Sequence, residues 1–211
     1  MREVPETPEG QWVLAAILFD LVHSRAPTPQ TLRTSTGLDD AIEPALGELV
    51  RACAIVRDET GMIVAAYPLS AIPTNHHVEV DSLRPWANCA FDALAVPKMI
   101  GQTGTVHSQC GHCGAPIRIV LQEGTVREAR PANVIVSYGG LANCSDKPSL
   151  EVSCPFIWFF CSAQHARAWV QPEGWVGPLL PLEKATTLAV ERFRPIITLY
   201  QRYAPVLRSP Q

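Results

Sequence analysis

The sequence predicts an α+β fold: an N-terminal winged-helix-like three-helix domain over residues 1–75, then a mixed, largely antiparallel sheet domain with flanking helices over 76–211. Three observations predict it. Helical periodicity dominates the first fifty residues, short strand-like segments between glycine turns fill the middle, and a helical stretch closes the chain. A chain of 211 residues, with 47% apolar and 18% charged residues, is long and apolar enough to bury a core without covalent staples.

Gln11 to Ser24 reads as an amphipathic helix, with Trp12, Ala15, Ala16, Phe19 and Val22 at helical spacing. Thr28-Pro29 is a cap followed by proline at the first helical position. It opens a short helix through Thr34 that Gly37 ends. Leu38 to Ala54 gives a third helix, placing Ile42, Leu46, Leu49, Val50 and Cys53 on one apolar face. Pro44 falls in its first turns, where proline is least disruptive. Ile55 to Asp58 and Met62 to Tyr67 flank Glu59-Thr60-Gly61 as a hairpin, the wing of the winged-helix outline. Pro68 and Pro73 mark a boundary near Ser70 to Asn75.

Beyond it, Pro85 to Ile100 reads as a helix. Thr103 to Gln109, Pro116 to Gln122, Val126 to Arg130 and Asn133 to Ser137 read as strands. Glu151 to Ser162 is an apolar, aromatic run expected to form a buried central strand. Ala163 to Val170 is a short helix, and Leu182 to Gln201 a final one disturbed at Pro195.

A net charge of −3 argues against a chain built to neutralise phosphates. The helix that would enter a DNA groove begins Leu38-Asp39-Asp40-Ala41-Ile42-Glu43, and the wing adds Asp58 and Glu59. Acidic groups stand where a reader needs Arg, Lys, Asn or Gln, so no nucleic acid partner is expected. No apolar run reaches the roughly 18–20 residues of a membrane span, so no membrane partner is expected either. Met1 to Glu6 is acidic and proline-bearing, unlike a secretory signal, so the expected location is cytoplasmic. Seven cysteines in a reducing compartment then point to metal or thiolate chemistry.

Cys110-Gly111-His112-Cys113 admits three readings. A dithiol redox site would want a helix after the first cysteine, but Gly114-Ala115-Pro116 and a strand follow. A zinc half-site would pair Cys110 and Cys113 with His107, yet Cys144, Cys154 and Cys161 form no second Cys-x-x-Cys. The third reading is a turn with structural thiols. Cys89 and Asp92 stand three apart on a helix that begins just before Cys89, so thiol and carboxylate share a face near the positive end of the dipole. An aspartate in the helix's N-terminal turn beside a small buried hydrophobe would give the same pattern. Cys154 sits at the mouth of the apolar run, as pocket lining or core filler. Cys53 and Cys161 are expected to be buried and inert, and Cys144 to be a loop thiol.

Together these pieces resemble the alkylmercury (organomercurial) lyases, the MerB family. Trp86-Ala87-Asn88-Cys89-Ala90-Phe91-Asp92-Ala93-Leu94, with Pro97 and Ile100-Gly101, is similar to the family's catalytic helix and its Cys-x-x-Asp-x-Leu core. His107-Ser108-Gln109-Cys110, followed by Gly114-Ala115-Pro116-Ile117, is similar to the segment with the family's structural cysteine. Cys154, five residues before Phe159-Phe160-Cys161-Ser162, stands where the second catalytic cysteine precedes an aromatic pair. The likeness covers nearly the whole chain, in outline only at the N-terminus.

The resemblance implies Cys89 and Cys154 as mercury-binding nucleophiles, Asp92 as proton carrier and Cys110 as a structural cysteine. After reaction, Cys89 and Cys154, with Asp92 beside them, would hold the Hg²⁺ product. Cys113, Cys144 and Cys161 fall outside the family pattern and leave room for an extra metal site at Cys110 and Cys113, with Zn²⁺ as its candidate ion. The implied substrate is a small organomercurial. No organic cofactor is required. Cytosolic thiols or a mercuric reductase would accept the Hg²⁺.

The chemistry explains the groups. Organomercury is soft, and thiolate is the softest protein ligand. A second thiolate pushes electron density toward carbon, and a positioned acid must supply the proton as the bond breaks. Trp86, Phe91, Phe156 and Trp158 are candidate walls for the organic group. Two rival readings are a non-catalytic metal-thiolate binding protein and a winged-helix metal-responsive regulator. Asp92 discriminates against the first, because binding alone needs no proton shuttle. The acidic third helix weighs against the second.

Overall fold

A computed structural model describes residues 4–141, 149–169 and 174–208. Its first helix, α1 (Pro8–Val22), starts at N-cap Thr7, whose hydroxyl accepts the Gly10 N–H. Helix α2 (Pro29–Thr36) is held by a reciprocal capping box between Thr28 and Thr31 and ends at Gly37, whose φ of 70° reverses the chain. Helix α3 (Ile42–Arg51) buries Ile42, Ala45, Leu46 and Leu49. It is shorter than expected at both ends: residues 38–41 form a turn, and Cys53 lies beyond the helix at a φ of 52°. Cys53 is therefore exposed, not part of the buried face. Val50 is also exposed.

Strands β1 (Ile55–Arg57) and β2 (Ile63–Ala66) form the expected antiparallel hairpin. Strand β3 (Leu69–Ser70) follows directly, pairs with β2, and is buried. It is joined by β4 (His77–Glu79), β5 (Trp86–Ala87), β6 (Gly104–Gln109), β7 (Pro116–Gln122) and β8 (Thr125–Arg130). One antiparallel sheet results, ordered β1-β2-β3-β5-β4-β6-β7-β8. Strands from both sides of residue 75 thus belong to a single sheet.

Helix α4 (Ala90–Ile100) packs between this sheet and the final helix α7 (Leu182–Leu207), and every residue of α4 except Lys98 is buried. Helix α1 leans on α7 as well. The expected helix from Pro85 begins five residues later, because residues 86–87 pair with β3 and β4. The extended approach is what brings Cys89 to the first turn of α4.

A smaller sheet joins β9 (Ile135–Ser137) to β11 (Phe159–Phe160) and β13 (Leu179–Pro181), and β10 (Gly140–Leu141) pairs with β12 (Trp175–Val176). The run from Glu151 to Ser162 is not one strand. Helix α5 (Ser149–Val152) leads into a 3₁₀ turn at Cys154–Phe156, and only Phe159 and Phe160 are strand. Pro155 explains the break: its fixed φ suits the start of a helical turn, and it has no N–H for a ladder. Helix α6 (Ala163–Ala168) follows. Cys144 lies outside the described residues. Among the described residues, no helix is long and apolar enough to cross a membrane.

Candidate active site

Cys89 is the N-cap of α4. Its backbone is extended (φ −153°, ψ 175°), and its Sγ accepts the Asp92 N–H at 3.4 Å. Asp92 is one turn on, its carboxyl returning toward the helix start. Cys154 arrives from the opposite side, on the 3₁₀ turn. The two segments are tied by the Ala90 N–H, which donates to the Ile157 carbonyl at 3.2 Å. The Sγ of Cys154 lies 4.0 Å from Asp92 Oδ2. Both sulfurs and a carboxylate oxygen all fall within 4.8 Å of one another. The side chains are enclosed: Cys89 is 1% exposed, Asp92 1% and Cys154 5%.

Burial raises the Cys89 thiol pKa well above the ordinary value. The neighbouring Cys154 thiol and the Asp92 charge add to the rise, while the Asp92 amide opposes it. The resting Cys89 thus holds its proton at neutral pH.

Two cavities flank the triangle. One, about 210 Å³, is lined by Phe91, Asp92, Tyr138, Ser153, Ile157 and Arg192, among others. Phe91 and Tyr138 stack there at 4.4 Å. The other, about 230 Å³, reaches Cys154 past His76, Asn88, Pro155 and Trp158. Among the described residues, neither of the two buried polar side-chain atoms of Asn88 has a hydrogen-bond partner. His76 is wedged edge-on against Trp158 and Phe159, with its Nδ1 2.8 Å from the Ser108 hydroxyl. Burial pushes its pKa down to about 4, so the ring is neutral.

Of the four aromatic candidates, Phe91 and Trp158 line these cavities. Trp86 packs instead on His77, and Phe156 lines neither. Sequence reasoning did not single out Tyr138, Asn88, His76 or Arg192. Their places depend on chain crossings that no local pattern encodes, although Asn88, as the neighbour of Cys89, offered a signal.

Cys110 is 2% exposed and lies in the β6–β7 turn. Burial pushes its thiol pKa up. Amides of Cys161, Cys113 and His112 and the His165 ring outweigh this and bring it down to about 6. His107 takes no part, since its ring pairs with Glu79 and stacks on His77. Cys161 is half-buried where full burial was expected: its Sγ is 3.0 Å from His165 Nδ1 and 3.8 Å from Cys113 Sγ. The missed signal was Cys161-x-x-x-His165, a four-residue spacing at the head of a helix.

A buried pair of thiols closing on a carboxyl at a helix N-terminus brings soft-metal donors beside a group of the kind that can carry a proton. Comparison with known proteins gives that site a family. A family model, alkylmercury lyase, matches residues 69–194 and so spans the whole triangle. An alkylmercury lyase of Pseudomonas putida is 31% identical over 179 residues, covering 82% of this chain and 79% of that protein. One from Bacillus cereus is 29% identical over 180 residues, covering 84% and 79%. A crystal structure of the mercury-bound form of MerB2 shares the fold, with a TM-score of 0.72 at 23% identity over 92% of both chains. The chain belongs to the alkylmercury lyase (MerB) family, enzymes of carbon–mercury bond cleavage.

Proposed function

We propose that this protein is an organomercurial lyase that protonolyses R–Hg⁺ with Cys89, Cys154 and Asp92. The observation that carries the reading is the enclosure of two sulfurs and a carboxylate oxygen within 4.8 Å of one another. A soft ion in line between two sulfurs would span roughly 4.6 Å at thiolate bonds of zinc-like length.

The first thiol to bind releases its proton as its sulfur bonds to mercury. The second sulfur attacks the same mercury, and its proton passes to the Asp92 carboxylate. The Asp92 carboxylic acid then delivers that proton to carbon as the carbon–mercury bond breaks, and its electrons become the new C–H bond. R–H leaves, and Hg²⁺ stays between the two thiolates. Overall, two thiols and R–Hg⁺ give the mercury dithiolate, R–H and one H⁺. No electron is transferred. Burial supports the step at Asp92, because a low-dielectric site excludes competing water.

The cavity bounded by Phe91, Tyr138 and Ile157 is the proposed seat of the organic group. Cytosolic thiols or a mercuric reductase would take the Hg²⁺, in a cytoplasmic setting. We read residues 1–75 as a winged-helix-like unit packed on the catalytic part and not as a DNA reader. The packing of α1 on α7 supports this, as does the late start of α3 behind the acidic turn at Asp39 and Asp40.

The experiment is release of R–H from an organomercurial with excess thiol. Wild type turns over, and Cys89→Ser, Cys154→Ser and Asp92→Ala are nearly silent. Mercury binding without R–H release by wild type would instead leave a metal-thiolate binder.

A further inference from the structure

The proposed reaction makes no use of a second cluster at the β6–β7 turn. Cys110, Cys113, Cys161 and His165 bring three sulfurs and one imidazole nitrogen together, all within 4.8 Å of one another. We propose that these four side chains hold a structural zinc ion that locks the β6–β7 turn to the segment entering α6.

The distances have the right scale. A tetrahedral zinc with thiolate bonds near 2.3 Å and imidazole bonds near 2.0 Å has donor–donor edges of roughly 3.5–3.8 Å. The Cys113 and Cys161 sulfurs are 3.8 Å apart, and Cys110 Sγ is 3.7 Å from His165 Nδ1. The Cys161–His165 edge, at 3.0 Å, needs to open by about half an ångström. A sulfur pair at 3.8 Å is not a disulfide, which requires about 2.05 Å.

The backbone is already folded around Cys110. The chain turns back after Cys113 through Gly114, at a φ of 71°, and the Gly114 N–H donates to the Cys110 carbonyl at 2.9 Å. The Cys161 N–H reaches Cys110 Sγ at 3.4 Å. Amide dipoles aimed at a sulfur stabilise it as a thiolate. His165 is set by its own backbone N–H, which donates to the N-cap hydroxyl of Ser162 at 3.1 Å, and the His112 ring packs beside it at 4.8 Å. Its Nδ1, the atom nearest the sulfurs, is the ligand.

Four protein donors from two separate segments fill a tetrahedron and leave no open position, the mark of a structural site and not a catalytic one. Three thiolates favour zinc over harder divalent ions. Loading exchanges thiol protons for metal: Zn²⁺, three thiols and a neutral imidazole give the complex and three H⁺. The ion would act on the fold through β11. The Gly111 N–H donates to the Phe159 carbonyl at 2.9 Å, and Cys110 bridges Phe159. Phe159 lies just past the segment that carries Cys154.

The test uses full-length protein purified under reducing, anaerobic conditions. Wild type should carry about one zinc per chain. Cobalt in its place should give the intense visible d–d bands of a tetrahedral site and thiolate-to-cobalt charge transfer. A Cys89→Ser/Cys154→Ser protein should keep both signals, so their fate is independent of the lyase reading. Cys113→Ser changes an exposed side chain and should lose zinc while remaining folded by circular dichroism. His165→Cys should keep the cobalt bands with stronger charge transfer. The proposal is overturned if reduced wild type takes up neither zinc nor tetrahedral cobalt. It is equally overturned if the signals follow Cys89 and Cys154 instead of Cys113.

Discussion

Around Cys89, two thiols and one carboxyl are sealed from water and lie next to cavities. Around Cys110, three thiols and an imidazole sit closer to the surface, with Cys113 exposed and Cys161 and His165 half-buried. The donor sets differ by an exchange and an addition: an imidazole replaces the carboxyl, and a third sulfur joins. In the two proposals that difference separates a reactive site from a structural one. A carboxyl near an incompletely filled coordination sphere can carry a proton to a bound group. Four soft donors complete the sphere and leave nothing to react. Burial separates them too, since the enclosed Cys89 thiol is pushed far up while amide donors draw the Cys110 thiol down to about 6.

The largest expected effect breaks that comparison at its acid. Asp92→Asn keeps the shape of the side chain and removes the exchangeable carboxyl proton. R–H release should fall about 10²- to 10⁴-fold, the usual worth of a positioned acid. Hg²⁺ should still bind with the wild-type stoichiometry, read by titration with a chromogenic chelator. Wild-type turnover in this variant would mean that Asp92 is no shuttle.

The two regions were not equally legible in the sequence. Cys89 and Asp92 share one helical turn, so their meeting follows from spacing alone. Strand β7 was equally plain, because Ile117, Ile119 and Leu121 alternate with more exposed neighbours. Cys154 was legible only through resemblance. The apolar run around it looks like one strand, and the 3₁₀ turn that aims its sulfur at Asp92 depends on tertiary contacts. The Cys110 cluster was half legible. Its Cys-x-x-Cys pair was visible, but its partners come from 48 to 55 residues away, where a strand pairing sets the approach. Cys53 was misplaced because helical periodicity does not register where a helix stops.

A second prediction tests the wall between the regions, where His76 lies against Trp158 and Phe159. Its pKa is about 4 when folded, against an ordinary 6.5. Below pH 6.5 the unfolded chain takes up a proton that the folded chain refuses. Stability is therefore fully present above 6.5 and is lost as pH falls toward 4. The loss approaches about 3 kcal/mol. Urea midpoints of wild type and His76→Gln across that window should converge as the acid side is reached.

A smaller effect joins the two sites. A methyl group on Gly111 would sit 3.0 Å from the Trp158 ring, and Trp158 lines the cavity at Cys154. Gly111→Ala should destabilise by about 1–3 kcal/mol, as overpacking does. KM for a bulky aryl mercurial should change more than kcat, because the wall moves while Asp92 does not. Equal changes in both constants would mean that the turn reaches the chemistry itself.

The smallest expected effect lies far from both clusters. Thr28 and Thr31 satisfy each other's backbone N–H groups, at 3.1 Å and 2.9 Å, at the exposed start of α2. Thr28→Ala removes one of these bonds and should lower stability by about 1 kcal/mol. If residues 1–75 only support the catalytic part, kcat and zinc content should both stay at wild-type values while the thermal midpoint drops. A local loosening of α2 could reach Asp92 from α1 to α4 through α7 or through β3, both of which pack on α1 and on α4. A fall in kcat alongside the midpoint would show that this packing positions the acid, and that the N-terminal region is part of the catalytic scaffold.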